Sequence, residues 1–391
     1  LDARSCIRWP ASSDSFAILS GVAYAMRAAA QPTLTHTMIS NLAKYSLVAT
    51  AIATSPAILS AQSILSLVAE KDATLYESAS GTVANGGGSK MFVGRVGANG
   101  NFEIRRTVIK WNIAGSIPAG SRIIAVNLDM NVDLSSAFLP QAATAHRVLQ
   151  NWSEGNATPG GNGGAGTGAT NGSVTWLHTN YPSQFWTNTG GDFASSPSFA
   201  FDLPGLGPLL TSPLPGLVAD VQDMLDNPSN NHGWLFKTPE VLTSNARAIA
   251  SSEASFNKPE LQITYLTPGQ TGTYGIGCPV GGGTFQLSLS GTASGGNTIP
   301  IIYSNAPSPS IGVNFFALAI DPIGTPLFPS CTVYLPLAGT IISGDAFITA
   351  GGVSGSNFTV PTGFPGYLIN VQAAVLDATP LNISMSNSGI M

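Results

Sequence analysis

The sequence predicts an all-β protein, made of a jelly-roll-like β-sandwich with one short helix and a second, immunoglobulin-like β-sandwich after it. The composition supports this fold class, because 44 Gly and 27 Pro supply turns while 43% of the 391 residues are apolar. That apolar fraction is too high for a disordered chain. Short runs that alternate apolar and polar residues between Gly, Pro and Asn are typical of half-buried strands.

Residues 1–61 come before the predicted sandwiches and read as a leader. We interpret residues 1–37 as sequence upstream of the true start, and residues 38–61 as a signal peptide. Lys44 precedes the apolar run 45–54, and small residues follow it. The run is well short of the roughly 20 apolar residues that a membrane-spanning helix needs. We therefore expect no transmembrane span and a secreted protein, extracellular or at the cell surface.

The first sandwich is predicted over residues 70–266. Its clearest strand runs from Ile124 to Val132, where every second residue is apolar. A helix is predicted near residues 216–227, because Pro and Gly open a segment with apolar residues on one face. Residues 155–173 consist almost entirely of Gly, Ala, Thr and Asn. They are expected to form a long loop, since they bury too little apolar surface to order themselves.

Charge separates the second sandwich from the first. Residues 62–266 contain 11 Lys or Arg and 15 Asp or Glu, whereas residues 267–391 contain no Lys or Arg and only three Asp. Residues 267–275 begin with a turn-rich stretch and are predicted to be a linker. Residues 276–391 are predicted to form the second sandwich, because short apolar runs separated by Gly, Pro and Ser recur throughout them.

Two cysteines remain once the leader, which contains Cys6, is set aside: Cys278 and Cys331. An even pair in an exported chain favours a disulfide, because such bonds persist outside the cytosol. A metal pair or two buried thiols are weaker alternatives, since no His or further Cys lies near either residue. We expect a Cys278–Cys331 disulfide.

A series of short motifs follows the order seen in one known family. They are Ala73–Glu77, Arg106–Ile113, Ile117–Gly120, His146–Gly155, Thr175–Trp186, Gly190–Phe193, Asn230–Gly233, Ser251–Ala254 and Pro259–Tyr265. Together they resemble the DNRLRE-type domain of secreted bacterial proteins, over roughly residues 70–266. The resemblance implies a jelly-roll sandwich, and some members act as carbohydrate-binding modules on acidic polysaccharides such as alginate. The chain has Lys110-Trp111-Asn112 where many members carry Arg-Phe-Asp.

The second sandwich resembles, more loosely, a C-terminal β-sandwich appended to secreted bacterial proteins. The likeness rests on Tyr274–Pro279, Cys331–Tyr334, Val371–Ala373 and the closing Ser386–Gly389. That group implies no particular activity. The predicted second sandwich carries almost no charge, so it lacks the electrostatic repulsion that keeps proteins monomeric. We therefore expect self-association through this C-terminal domain.

Catalytic patterns are missing from the sequence, and we expect no enzyme activity. There is no Gly-x-Ser-x-Gly, His-x-His or His-Glu-x-x-His spacing. Glu154, Asp192 and Glu253 could supply the two carboxylates of a glycosidase, but buried Glu residues paired with Arg106 or Arg147 are the simpler interpretation. We expect no cofactor. Structural calcium stays open because loop Asp residues and carbonyls suit it, although no Asp-x-Asp-x-Asp loop is present.

Aromatic residues provide the predicted binding site. Between residues 176 and 186 lie Trp176, His178, Tyr181, Phe185 and Trp186. Exposed aromatic faces stack on sugar rings, and cations bind carboxylated sugars. We predict a shallow polysaccharide platform made by Trp176, His178, Tyr181 and Trp186, with Arg147 beside it. The alternative is that both tryptophans plug the ends of the sandwich core.

Three functions remain open at this point. The first is a non-catalytic carbohydrate-binding or surface-adhesion protein whose partner is a polysaccharide or cell-surface glycan. The second is a structural subunit of an extracellular matrix, sheath or filament, and the third is an accessory protein of a polysaccharide lyase or hydrolase. No run rich in Lys or Arg exists, so nucleic acid is not expected as a partner.

Overall fold

A computed structural model describes residues 62–240, 244–281, 283–328, 330–336, 341–349, 353–363, 368–378 and 381–391. The predicted upstream segment, 1–37, and the predicted signal peptide, 38–61, lie outside the described residues. The described chain is all-β, as predicted, and every strand pairing in it is antiparallel. No helix within these ranges is long and apolar enough to cross a membrane.

The first region, up to residue 266, contains the predicted alternating strands. In chain order its strands are β1 (Ser63–Val68), β2 (Lys71–Tyr76), β3 (Val83–Ala84), β4 (Lys90–Arg95), β5 (Ile104–Lys110), β6 (Arg122–Ser135), β7 (Gln141–Arg147), β8 (Thr167–Gly168), β9 (His178–Asn180), β10 (Gln184–Phe185), β11 (Phe199–Leu203), β12 (Gly207–Leu210), β13 (Trp234–Lys237), β14 (Arg247–Ala250) and β15 (Glu260–Leu266).

Most of these strands form one curled sheet of 11 strands. Its main order is β1-β15-β6-β14-β4-β5-β13-β7-β11, with β12 beside β6 and β2 beside β5. The sheet turns at β4, whose first part pairs with β14 and whose last two residues pair with β5. Gly94 sits at this turn with φ +118°, and a Cβ there would lie 2.8 Å from the Cα of Ala246. The two halves of the sheet therefore face each other and enclose a core.

The core between the two halves follows the period-two pattern of the sequence. Val126, Leu128 and Met130 of β6 point inward, and Trp234 and Phe236 of β13 meet them from the opposite half. The inner faces of the other strands complete the same cluster. Burying these side chains provides the main favourable free energy of folding in this region.

Two short helices accompany the sheet, α1 (Ile113–Ser116) and α2 (Pro215–Asp226), where the sequence predicts one near residues 216–227. Pro215 occupies the first turn of α2, where the missing N–H costs nothing. Five apolar side chains of α2 are buried against the core: Leu217, Val218, Val221, Met224 and Leu225. The single turn α1 was not predicted, and the side chain of Asn112 caps it by accepting from the N–H of Gly115.

The Gly-rich residues 155–173 form hydrogen bonds with the sandwich, although their composition predicts a loop that does not order itself. Tyr76 donates a hydrogen bond to the carbonyl of Gly163 at 2.7 Å, and β8 pairs with β3. Gly87 donates to the carbonyl of Ala157 at 3.0 Å. Backbone groups of this segment take part in all three contacts, and composition cannot reveal such contacts.

The second region is also a two-layer β-sandwich. Its strands are β16 (Gly272–Tyr274), β17 (Pro279–Val280), β18 (Gly283–Thr284), β19 (Gln286–Leu289), β20 (Thr298–Ser304), β21 (Ser310–Ala317), β22 (Thr325–Phe328), β23 (Cys331–Val333), β24 (Ile341–Thr349), β25 (Val353–Thr359), β26 (Asn370–Ala378) and β27 (Leu381–Ile390). A five-stranded sheet β16-β27-β26-β21-β24 packs on a three-stranded sheet β19-β20-β25 around a core that includes Leu287, Ile301, Phe347 and Val375. Residues 272–274, placed in the linker by the sequence, form β16.

The disulfide Cys278–Cys331 is present, as predicted. The two Cα atoms are 4.6 Å apart and the residues are separated by 53 positions. The bond attaches the β22–β23 hairpin to the outer face of the five-stranded sheet, where Cys278, Cys331, Val333 and Met385 form one buried cluster.

Removal of this disulfide should destabilise the second region selectively. Closing a loop of about 50 residues lowers the entropy of the unfolded chain, so the double variant Cys278→Ser/Cys331→Ser should lose about 2–4 kcal/mol of unfolding free energy. Calorimetry of the wild-type and variant proteins would measure the change. The melting transition of the first region serves as the internal control and should not move. Equal shifts in both transitions would contradict the expectation.

Candidate functional site

Residues 174–193, called here the cover segment, lie on the outer face of the sheet that contains β5 and β13. That face carries Val108 and Leu235, which alternate with inward-pointing neighbours on the same strands. Val174, Trp176 and Trp186 of the cover segment pack against it in a second hydrophobic cluster. These strands are therefore buried on both faces, and the cover segment closes the outer one.

Both tryptophans of the predicted platform are structural members of this cluster. Trp176 is 8% exposed and Trp186 is 6% exposed. The indole N–H of Trp186 donates to the carbonyl of Thr175 at 3.0 Å. The guanidinium of Arg106 lies over the ring of Trp176 at 4.8 Å, and Gly190 (φ +84°) lets the chain pass close beside that ring. Neither tryptophan presents a face to a ligand.

His178 is buried beneath the surface of the cover segment. Its Nδ1 is 2.9 Å from the hydroxyl oxygen of Thr175. Burial lowers the pKa of His178, so the ring is neutral at pH 7. Its ring supports two other aromatics, since the ring of Tyr181 lies 5.0 Å away and that of Phe185 lies 4.3 Å away, centroid to centroid.

The exposed part of the segment is a small aromatic surface, called here the aromatic tip and made by Tyr181 and Phe185. Tyr181 is half-buried, and Phe185 is 59% exposed. Backbone hydrogen bonds between Tyr181 and the pair Gly172 and Ser173 fix the strand that carries the tip. Phe185 is therefore a functional candidate. It belongs to the aromatic cluster of the sequence but not to the predicted platform. Its place in the short strand β10, opposite His178, decides its exposure.

Arg147 does not lie beside this surface. Its guanidinium pairs with the carboxylates of Asp223 at 2.8 Å and Asp220 at 3.5 Å, both on α2. It also donates to the carbonyl of Asn230. Two other cations reach the cover segment. Arg106 lies over the ring of Trp176 and forms a two-point ion pair with Glu240 at 2.7 and 3.0 Å, and the ammonium of Lys237 lies 5.5 Å from the ring centroid of Phe193.

Asp192 holds the end of the cover segment in place. Its carboxylate accepts hydrogen bonds from the backbone N–H groups of Thr187 and Asn188 and from the side chain of Gln150. Burial acts to raise the pKa of Asp192, but these hydrogen bonds outweigh it and leave the pKa below its ordinary value. The group is an ionised structural acceptor.

The other two candidate carboxylates form a cluster with Asp72. The side chain of Glu154 accepts a hydrogen bond from the backbone N–H of Asp72 at 2.6 Å, and Asp72 in turn accepts from the backbone N–H of Ser252. Glu253 lies close enough to affect both carboxyls electrostatically. The expected pairing of Glu154 and Glu253 with Arg106 or Arg147 is wrong, because both arginines have other acidic partners.

Burial raises the pKa of Asp72 to about 7, and the charge of Glu253 adds to the effect. Burial likewise raises the pKa of Glu154 to about 8. These two carboxyls hold protons at pH values where the same groups in the unfolded chain have lost them. Within the described residues, no group of three or more His, Cys, Asp or Glu side chains is arranged to hold a metal ion.

No protein-family model matches the chain, and no curated protein matches it.

The carboxyl cluster should make the first region less stable as pH rises. A carboxyl whose pKa is raised on folding stabilises fully below its unfolded pKa, and this contribution is lost as pH rises through the folded value. His146, His178 and His232, whose pKa values are lowered by burial, act in the opposite sense, but only up to about pH 6.5. The melting temperature should therefore fall between about pH 6.5 and 8, by about 2–4 °C per pH unit for each carboxyl that must still ionise, which is Asp72 up to about pH 7 and Glu154 up to about pH 8.

Thermal unfolding over this pH range would measure the effect in the wild type and in the variants Asp72→Asn and Glu154→Gln. Each variant should show a shallower decline, because one ionisation has been removed. Lys258→Gln removes an exposed positive charge that lowers the pKa of Asp72, and because it removes no carboxyl it should keep the decline at least as steep as in the wild type. A wild-type melting temperature that stays constant or rises between pH 6.5 and 8 would contradict the assigned pKa directions.

Proposed function

We propose that the chain is a non-catalytic, exported carbohydrate-binding or surface-adhesion protein, and that the aromatic tip contacts the sugar. The observation that carries the proposal is that the rings of Tyr181 and Phe185 pack against the buried ring of His178. An exposed aromatic ring on a fixed support offers an apolar face to a pyranose ring at little entropic cost. Gln184, which is exposed next to Phe185, is available to bind sugar hydroxyls.

Stacking, rather than ion pairing, should supply most of the affinity at this surface. Arg147 and Arg106 both have carboxylate partners, and the guanidinium of Arg106 lies over the ring of the buried Trp176. The tip therefore favours the apolar face of a sugar and offers little preference for acidic over neutral chains. The disulfide in the second region is in keeping with an exported protein, because such bonds persist in oxidising compartments.

A non-catalytic role is supported by the carboxyl groups of the first region. Asp192 accepts hydrogen bonds from backbone N–H groups within the cover segment, and Asp72 and Glu154 form hydrogen bonds with backbone groups. Each has a structural partner and none lies on the aromatic tip.

Truncation of Phe185 should weaken glycan binding and have only a small effect on stability. Phe185→Ala removes an exposed ring and should reduce affinity about 10-fold, equivalent to about 1.4 kcal/mol of stacking. A glycan array would identify the ligand, and affinity electrophoresis in that polysaccharide would measure the loss. Phe256→Ala is a matched control, since Phe256 is 73% exposed elsewhere in the same region. Absence of binding to every polysaccharide, or equal retardation of the Phe185 variant and the wild type, would refute the assignment.

A second candidate function, a self-associating structural subunit, is favoured by one surface of the second region. Ile348, Ile311, Leu376 and Ile383 are cross-strand neighbours on the outer face of the five-stranded sheet. Ile348 is 55% exposed and Ile311 is 41% exposed. The region has no Lys or Arg, so little charge repulsion opposes contact between two copies through this apolar row.

A charge placed on this row should reduce self-association. In Ile348→Lys the new ammonium would be buried between copies, so dissociation should shift to concentrations at least about 10-fold higher. Analytical ultracentrifugation of the mature protein over a range of concentrations would measure it. Ile276→Lys adds the same charge at a site that is 68% exposed in the same region and should have no effect. A wild-type protein that stays monomeric at high concentration would exclude this candidate.

A further inference from the structure

Two loops at one end of the first region expose large apolar side chains. Residues 136–140 connect β6 to β7, and residues 204–206 connect β11 to β12; they are called here the apolar loops. Phe138 is 97% exposed, Leu139 is 79% exposed and Leu206 is 64% exposed. Single apolar residues on a surface are ordinary, but three of them on adjoining loops form a patch of the kind that contacts a partner.

The apolar loops are fixed to each other. A Cβ atom on Gly205 would overlap the carbonyl oxygen of Phe138, so this close approach of the two backbones requires glycine. The guanidinium of Arg247, which is 1% exposed, donates hydrogen bonds to the carbonyls of Leu139 and Pro204, one in each loop. A buried guanidinium is costly to desolvate, and here it holds two loops whose side chains face solvent. Groups held in this way lose little entropy on binding.

A third loop at the same end, residues 96–103 between β4 and β5, adjoins the apolar loops through Ser244. The hydroxyl of Ser136 donates a hydrogen bond to the carbonyl of Ser244 at 2.6 Å. On the other side, a Cβ atom on Gly97 would lie 2.7 Å from the hydroxyl oxygen of Ser244. This third loop adds Phe102, which is 45% exposed, to the same end of the sandwich.

The apolar loops lie at the end of the first region that is farther from the second. Leu266, where the chain leaves the first region, packs with Tyr274 of the second and pairs with Arg122 at the start of β6. The apolar loops adjoin the other end of β6, at Ser135. This strand has 14 residues, so about 40 Å separate its two ends. Contact of the loops with a partner therefore does not involve the second region.

Charge is absent from the apolar loops, whose sequences are Ser-Ala-Phe-Leu-Pro and Pro-Gly-Leu. Arg95, at the end of β4, directs its guanidinium to the carbonyls of Phe102 and Glu240. Two carboxylates lie behind the loops, since Asp133 is near the end of β6 and Asp202 is near the end of β11. The loops can therefore enter an apolar phase without dehydrating a charge, and they offer no cation to an anionic surface.

A lipid surface fits this patch better than a second protein does. The four exposed side chains present roughly 600 Å² in total, less than the roughly 800 Å² that each partner buries in a stable protein interface. They protrude from the loops, so a protein partner would need a matching pocket. A bilayer has no such requirement, because its hydrocarbon adapts to an inserted group, and Phe and Leu are typical of surfaces that enter it.

We propose that the apolar loops insert into a lipid bilayer and attach the first region reversibly to a membrane surface. Phe138 and Leu139 enter the hydrocarbon, with Leu206 and Phe102 beside them, while Arg247 stays buried and keeps the loops in place. Because the loops carry no cation, the attachment does not depend on anionic headgroups. This surface is separate from the aromatic tip, and the proposal does not rest on glycan binding.

Flotation of the mature protein with phosphatidylcholine vesicles tests the proposal. The wild type should float with the vesicles. The double variant Phe138→Ser/Leu139→Ser should reduce the partition coefficient at least about 10-fold, because two exposed apolar side chains no longer enter the hydrocarbon. Phe256→Ser is a matched control, since Phe256 is 73% exposed between β14 and β15, and it should leave flotation unchanged. Addition of phosphatidylserine to the vesicles should not strengthen binding.

Fluorescence locates the contact independently of affinity. The tryptophans among the described residues are all buried: Trp111, Trp152, Trp176, Trp186 and Trp234. Phe138→Trp therefore adds an indole that vesicles can reach. Its emission should move to shorter wavelength when phosphatidylcholine vesicles are added, and lipids brominated on their acyl chains should quench it. Phe256→Trp, the control, should show neither change.

Four results would overturn the proposal: no flotation of the wild type, equal flotation of the double variant, no quenching in the Phe138→Trp variant, or binding that requires phosphatidylserine and is lost at high salt. The last result would assign the binding to charge, because salt screens exposed charges and leaves apolar insertion unaffected. Analytical ultracentrifugation covers the remaining occupant. A dimer that the double variant abolishes, without any vesicle binding, would assign the loops to a second copy of the chain and overturn the proposal as well.

Discussion

The burial of one layer of strands on both of its faces is the constraint on which the first region depends. Strands β5 and β13 place Trp234 and Phe236 in the core between the sheet halves, while Val108 and Leu235 point the other way. Because those outward side chains are also apolar, the chain must cover them. The cover segment does so with its two tryptophans. The aromatic tip is a consequence of this packing, since the segment that buries Trp176 and Trp186 carries Phe185 to the surface between them.

The few charged residues of the chain are used mainly to fix segments. Arg106 joins β5 to the loop that contains Glu240, and Arg147 joins β7 to α2 through Asp223. Arg247 is 1% exposed and donates to the carbonyls of Pro204, Asn245 and Leu139. Charge-assisted hydrogen bonds of this kind are strong when they are buried and fully satisfied. Arg122 departs from this pattern, because its buried Nε has no hydrogen-bond partner among the described residues.

The second region shows how a fold can be stable almost without charge. Its core is made by alternating apolar side chains of two sheets, and polar groups such as Asn370 and Gln372 are satisfied by neighbouring carbonyls and hydroxyls. The disulfide fixes a hairpin on the outer face. Ser, Thr and Asn rather than charged residues supply most of its polar side chains, and an apolar cross-strand row that includes Ile348 and Ile311 is exposed on the outer face.

The sequence by itself determined the class of the fold, the helix near residues 216–227 and the disulfide. These depend on local periodicity, on turn residues and on a count of two cysteines. Only the tertiary structure decided which aromatic residues are exposed. Trp176 and Phe185 are both large aromatic residues, and they differ in whether the outer face of the sheet packs against them. The same holds for Arg147 and the Gly-rich segment 155–173. Their partners are distant in sequence, and neither composition nor spacing encodes a contact that forms only when remote strands come together.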